Sequence, residues 1–200
     1  MKITVNTPAR DFNTLTSERF PFTLSRLKSC KILLSFYRNG ACAFSNYRLH
    51  LLKKYKKEFI ARNTLVVSVF ESMPRLVIPY AGRTELPFYI LSDPMGLIYD
   101  LYEVENSEEK IRNAIISGIT ANMSREAADA GIVSVPEENS NFFRLPADFL
   151  IDENFSISKI HYSNSLIDFM PIDEIIKWIQ LPKHIQTTPV RYHETFISRN

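Results

Sequence analysis

The sequence predicts an α/β protein with a mixed central sheet flanked by helices. Three observations carry this. Lys31-Ile32-Leu33-Leu34-Ser35-Phe36-Tyr37 and Thr64-Leu65-Val66-Val67-Ser68-Val69-Phe70 are short, largely apolar runs, the pattern of strands buried on both faces. Stretches of helical periodicity follow them, so strands and helices alternate. Near the C-terminal end, Phe149-Leu150-Ile151-Asp152, a tight turn at Glu153-Asn154 and the alternating Ser156–Tyr162 form a hairpin, which makes the sheet mixed rather than purely parallel.

Along the chain, residues 1–19 read as a leader with one short strand, and Phe22-Thr23-Leu24 alternates weakly. Gly40 breaks the first apolar run. A helix is predicted over 43–62, with Phe44, Tyr47, Leu51, Tyr55 and Phe59 as one apolar stripe. Lys53, Lys54, Lys56 and Lys57 load its other side and read as a solvated face. A short helix is expected over 72–82, a third strand at Phe88–Leu91, and a helical turn or two over Met95–Tyr102. Asn106-x-x-Glu109 fits a capping box opening a helix with Ile111, Ile115 and Ile119 on one face. Ser124 is a candidate cap for another, stopped at Gly131. A last helix begins near Pro171, with proline at its first position, and carries Ile175, Ile176 and Ile179. The domain is expected over 20–180, followed by a polar tail, 181–200.

Composition excludes several classes. With 45% apolar and 12% aromatic residues in 200, the chain is not a disordered one. No apolar run approaches the ~18 residues of a membrane helix, and no secretory signal opens the chain. The net charge of +2 gives no field for nucleic acid or an anionic membrane, so neither is expected as a partner. Two cysteines, Cys30 and Cys42, are too few for a disulfide scaffold, and a cytoplasmic, reducing compartment is expected. The five glycines form no dinucleotide fingerprint or phosphate loop, and the four histidines no zinc spacing; no metal or cofactor is expected. Asn122-Met123-Ser124 and Asn154-Phe155-Ser156 match the glycosylation sequon, a chance match in a cytoplasmic chain.

The order strand, turn, cysteine, helix places Cys42 where free N–H groups and the helix dipole favour an anion. Such a placement can lower a cysteine pKa from about 8.5 toward 7 or below. Here the chain resembles a known family. Phe36-Tyr37-Arg38-Asn39-Gly40-Ala41-Cys42-Ala43-Phe44-Ser45-Asn46 is similar to the F-Y-R-G-x-W-C-P-x-C-N segment of peroxiredoxin-like proteins of the alkyl hydroperoxide reductase/thiol-specific antioxidant family. Phe22–Lys28, Leu86–Gly96 and Leu145–Asp152 resemble further family segments, in order. The resemblance implies a thioredoxin-like fold and, at Cys42, a peroxide-reducing thiol. Departures are Ala41 for the family's Trp, Ala43 for its Pro and Ser45 for the second cysteine of C-x-x-C; Ser35 and Asn39 stand at the Pro and Thr positions of the ordinary peroxiredoxin pattern.

Cys42 is therefore a lone thiol at the active position. Ser45 can hydrogen-bond a thiolate but cannot resolve a mixed disulfide. Cys30 lies before a seven-residue strand and Cys42 after it, roughly 20 Å apart at ~3.3 Å per residue, so they cannot pair within one folded chain. Candidate catalytic residues are Cys42, Arg38 and Arg144, the last resembling the family's late arginine. Ion-paired surface arginines are the plain alternative for both. Ser45, Gly40, Asn46 and Pro146 are supporting candidates, Pro146 resembling the cis-proline that abuts the cysteine in thioredoxin folds. His50 is too far along the helix to act as a base, and residues 120–143 are a candidate cover for the site mouth.

Two functions compete. One is a one-cysteine thiol peroxidase or thiol–disulfide oxidoreductase. It acts on a small peroxide or disulfide and is reduced by an external thiol such as thioredoxin or glutathione; a homodimer is a family-level expectation. The other is a redox-inactive thioredoxin-fold module that binds a protein partner. A monothiol glutaredoxin-type cluster or glutathione binder is a third, weaker idea.

Overall fold

The computed structural model describes residues 3–138 and 140–181. Its elements are β1 (Asn13–Leu15), β2 (Pro21–Thr23), a 3-10 turn (Leu24–Leu27), β3 (Lys31–Tyr37), α1 (Ala43–Lys53), α2 (Lys56–Ala61), β4 (Thr64–Phe70), α3 (Pro74–Val77), β5 (Phe88–Ser92), α4 (Leu97–Leu101), α5 (Glu108–Ile116), α6 (Ala121–Asp129), β6 (Ala147–Ile151), β7 (Ile157–Tyr162) and α7 (Ile172–Gln180). The main sheet runs β5-β4-β3-β6-β7. β3, β4 and β5 are parallel, while β6 pairs antiparallel with both β3 and β7. This is the mixed sheet the hairpin predicts.

Both apolar runs form the expected strands, and every residue of each is buried. Alternation sorts their side chains between two cores. Ile32, Leu34, Phe36, Val67, Val69 and Phe149 pack under the N-terminal segment and α4. Leu33, Tyr37, Val66, Phe70 and Leu150 pack under α1, α2 and α7. The second core holds a polar inclusion. Asp148 accepts from Ser35 Oγ at 2.5 Å and from the Met170 amide at 2.9 Å. Arg48 lies 4.0 Å from Asp148 and donates to the Met170 carbonyl at 2.6 Å. Burial, and then the Asp148 charge, push the Tyr37 hydroxyl's pKa above the usual tyrosine range.

Several expectations change. The leader, from Ile3 on, is built into the fold: Ile3, Ala9 and Phe12 are buried, and Asn6 and Thr7 exchange backbone hydrogen bonds with Ile157. The single helix over 43–62 is two, interrupted at Lys54 and Tyr55 (Tyr55 φ −99°, ψ 20°). Leu49 and Leu52 of α1 face the sheet, while Tyr47 and Leu51 turn toward α6. The bend brings Phe59 down onto Phe88, ring centroids 6.0 Å apart. α3 is one turn long rather than spanning 72–82. α5 is capped by Ser107, which accepts from the Lys110 amide, so the cap sits one residue later than Asn106. Ile111 and Ala114 are buried, but Ile115 is half exposed, and Ile119, also half exposed, lies beyond the end of α5. α6 starts at Ala121, leaving Ser124 inside it, and Pro171 is the residue before α7. Residues 182–200 of the expected tail lie outside the described residues.

Removing one member of a buried charged pair strands the other. Arg48→Met is expected to lower the unfolding free energy by about 3 kcal/mol or more in a urea titration. A loss under about 1 kcal/mol would mark the network as energetically minor.

Candidate active site

The C-terminal end of the central strand β3 opens onto the turn Arg38–Cys42, beside the point where the chain order in the sheet divides. Gly40 is required there by close approach. A Cβ on it would lie 2.5 Å from the Leu76 carbonyl oxygen and 3.0 Å from Val77 Cα. Its amide donates to Ser72 Oγ at 2.8 Å, and its carbonyl accepts from Asn46 Nδ2 at 2.7 Å. Asn46, one turn into α1, thus ties the helix to the turn before it. Ser45 Oγ accepts from the Arg38 amide at 3.2 Å, so the hydroxyl in the second-cysteine position braces the strand exit.

Cys42 is the residue before α1, as the strand–cysteine–helix order predicts, and its carbonyl accepts from the Asn46 amide at 3.0 Å. It is 2% exposed. Residues 132–138 and 140–143 form a strap across it. Val135 N donates to the Ala41 carbonyl at 3.2 Å, Ala43 N to Ser134 Oγ at 3.0 Å, and Asn39 Nδ2 to Ser140 Oγ at 3.1 Å. Between strap and turn lies an open cavity of about 650 Å³, lined by Cys42, Arg38, Asn39 and Phe44 from the strand–helix side and by Glu137 and Phe142 among others from the far side. The sequence pointed to 120–143 as cover. It did not single out Ser134, Glu137, Ser140 or Phe142; a long polar loop between periodic segments was the available signal.

The structure separates the two candidate arginines. Arg38 is 8% exposed, lines the cavity with Cys42 and stacks on Phe142 at 4.7 Å. Its Nε has no hydrogen-bond partner, and it makes no ion pair among the described residues. Arg144 does not line the cavity. Its Nε and Nη2 grip Glu71 at 2.7 and 3.1 Å, its Nη1 donates to the Val104 carbonyl at 2.7 Å, and its guanidinium lies 4.9 Å from the Tyr99 ring centre. Burial works against its charge, but Glu71 outweighs that and raises its pKa above the ordinary arginine value. Arg144 is therefore occupied as the anchor of β6 to the end of β4. Pro146 also departs from expectation. The cis bond among the described residues is Leu86–Pro87, not Leu145–Pro146. On the way into β6, Arg144 bridges Asn106 and the Leu145 amide donates to the Glu105 carbonyl. Neither Cys30 nor Cys42 forms a disulfide, and the two stand at opposite ends of β3. His50 is exposed and stacks on Tyr47.

A sequence model of the AhpC/TSA family matches residues 5–160. The chain belongs to the AhpC/TSA family. No curated protein sequence matches it. Among solved structures it is similar to a yeast mitochondrial 1-Cys peroxiredoxin (15% identity, 88% of this chain and 75% of that one, TM-score 0.60). It is also similar to the peroxidoxin BcpB of Mycobacterium tuberculosis (17%, 88% and 95%, 0.59) and to a Plasmodium vivax 2-Cys peroxiredoxin (18%, 88% and 79%, 0.58). At such identities these likenesses establish the fold, which is thioredoxin-like. Membership of this AhpC/TSA family supports thiol-based redox chemistry at the level of the family.

Two substitutions separate structure from chemistry. Gly40→Ala drives a methyl into the Leu76 backbone and is expected to cost about 1–3 kcal/mol in thermal or urea unfolding. Arg144→Met leaves Glu71 buried without its cation and is expected to cost about 3–5 kcal/mol. The folded fraction of Arg144→Met should keep the parent's rate of Cys42 oxidation, followed by intact mass.

Proposed function

We propose that this protein is a one-cysteine thiol peroxidase or thiol–disulfide oxidoreductase acting through Cys42 and regenerated by an external thiol. One observation carries the reading: Cys42, at the start of an eleven-residue helix, shares a cavity with Arg38, a buried guanidinium without a carboxylate partner among the described residues. A buried cation left unpaired by its own fold is placed for a negative charge supplied from elsewhere.

In the peroxidase reaction the Cys42 sulfur attacks one peroxide oxygen, the O–O bond breaks, and the other oxygen leaves as water or an alcohol after taking a proton. Sulfur loses two electrons and becomes a sulfenic acid. Arg38 donates to the developing negative charge, and the fixed dipole of α1 favours the anion at its start. Asn39 stands where the ordinary peroxiredoxin pattern has Thr, and offers an amide in place of a hydroxyl. With Ser45 in the second-cysteine position and Cys30 at the far end of β3, a sulfenic acid here awaits a thiol from outside. Two cysteines without a disulfide fit a reducing compartment such as the cytoplasm.

The alternative, a redox-inactive binding module, draws on the Ser134 hydroxyl bonded to the first amide of α1, a donor a peroxide would otherwise use. The deciding experiment adds hydrogen peroxide to the reduced protein and traps sulfenic acid. Fast, saturable oxidation lost in Cys42→Ser is expected, with Arg38→Met slower by about a hundredfold. Oxidation no faster than that of a free thiol would overturn the peroxidase reading and favour the binding module.

A further inference from the structure

The wall of the cavity beside Cys42 divides into a covered part and an open part. Arg38, Cys42 and Leu166 line it and are buried, whereas Ile115, Val135 and Phe142 line it and are 49%, 39% and 47% exposed. The covered part carries a cation, and the open part is apolar. Phe142 joins the two, its ring centre 4.7 Å from the Arg38 guanidinium. Ile116 and Val133, each next in the chain to a lining residue, are exposed apolar side chains as well. Exposed apolar surface gathered in one place marks ligand grooves. The volume, about 650 Å³, falls in the range of sites that enclose whole small ligands.

The cation selects the head group of the occupant. Arg38 Nε is buried without a hydrogen-bond partner, and the guanidinium makes no ion pair among the described residues. Orphaned buried polar atoms are rare and call for a partner. Nε–H and a neighbouring Nη–H form a planar fork, which receives the two oxygens of a carboxylate. Glu137 lines the same cavity, with its Oε2 buried and unpartnered. A doubly charged head group such as a phosphate would set a second negative charge against Glu137. A carboxylate brings one charge, which Arg38 compensates.

We propose that the cavity binds a monocarboxylate with an apolar body, of the medium-chain fatty acid kind. Its carboxylate sits on Arg38 and its chain runs out past Phe142, Ile115 and Val135. The contacts are with Arg38 and the cavity wall, so the binding needs no reaction at Cys42 and does not rest on the redox reading. Where that reading holds, the bound carboxylate occupies the donor that a peroxide would use, and the ligand slows oxidation of Cys42.

The test titrates the full, reduced chain with octanoate, octanamide, butyrate and octyl phosphate by isothermal calorimetry. Nuclear Overhauser contacts from the octanoate chain to the Ile115 and Val135 methyl groups locate the site. Octanoate is expected to bind tightest. Octanamide, of the same shape without the charge, should bind about tenfold or more weaker, the scale of one charge-assisted hydrogen bond. Butyrate, shorter by four methylenes, should also lose about tenfold or more. Arg38→Met should erase the preference for octanoate and keep the affinity for octanamide, which a misfolded variant would not do. Glu137→Gln should strengthen octyl phosphate more than octanoate. Octanamide matching octanoate, octyl phosphate outbinding it on the parent chain, or a preference for octanoate that survives Arg38→Met would overturn the proposal. With hydrogen peroxide added, saturating octanoate should slow Cys42 oxidation severalfold, with half the effect at its Kd. Selective octanoate binding to a Cys42 that peroxide does not oxidise would overturn the peroxidase reading and leave the cavity assignment standing.

Discussion

The backbone contact between Gly40 and Leu76 is the constraint on which the site depends. No side chain fits between the two chains, so the exit of the central strand is pressed onto α3. Ser72 then reaches the Gly40 amide and Asn46 its carbonyl, which satisfies both polar groups of a buried peptide and fixes where α1 begins. Cys42 inherits its position from that geometry. So does Arg38, whose amide is held by Ser45 and whose carbonyl accepts from the Glu71 amide.

The sequence was most legible where burial leaves no choice. The β3 and β4 strands were readable to the residue because a strand covered on both faces tolerates almost only apolar side chains. The cysteine's place before a helix was readable from the break at Gly40 and the periodicity that follows. Legibility failed where a tertiary neighbour decides. The stripe from Phe44 to Phe59 reads as one face, yet α1 meets both the sheet and α6, so Tyr47 and Leu49 are buried against different partners. Nothing local marks the interruption at Tyr55, since neither glycine nor proline stands there. The segment before β1 looked like a leader because its apolar residues are sparse; its hydrogen bonds to β7 come from its backbone, which composition does not record.

Three arginines show how one residue type takes different parts. Arg48 faces Asp148 inside the sheet–helix core and holds the Met170 carbonyl. Arg144 is saturated by Glu71 and Val104. Both are committed to the fold, where their charge is compensated and their removal would strand a carboxylate. Arg38 has an aromatic face at Phe142 and, among the described residues, no anion. The sequence placed Arg38 and Arg144 on equal footing, because the distinction rests on Glu71, far from both in the chain and reading as an ordinary surface acid.

The sheet order has a consequence for how the chain is made. β6 lies against β3, with Phe36 opposite Ala147, so one edge of the central strand has no partner until the chain has emerged as far as Ile151. The strap over Cys42 arrives almost as late. A nascent chain therefore carries its thiol before it carries the cover, and long-range pairing of this kind is slow to form. For that interval an open strand edge and an unshielded sulfur coexist on the ribosome, and the surrounding redox buffer, rather than the protein's own architecture, sets the state of that sulfur.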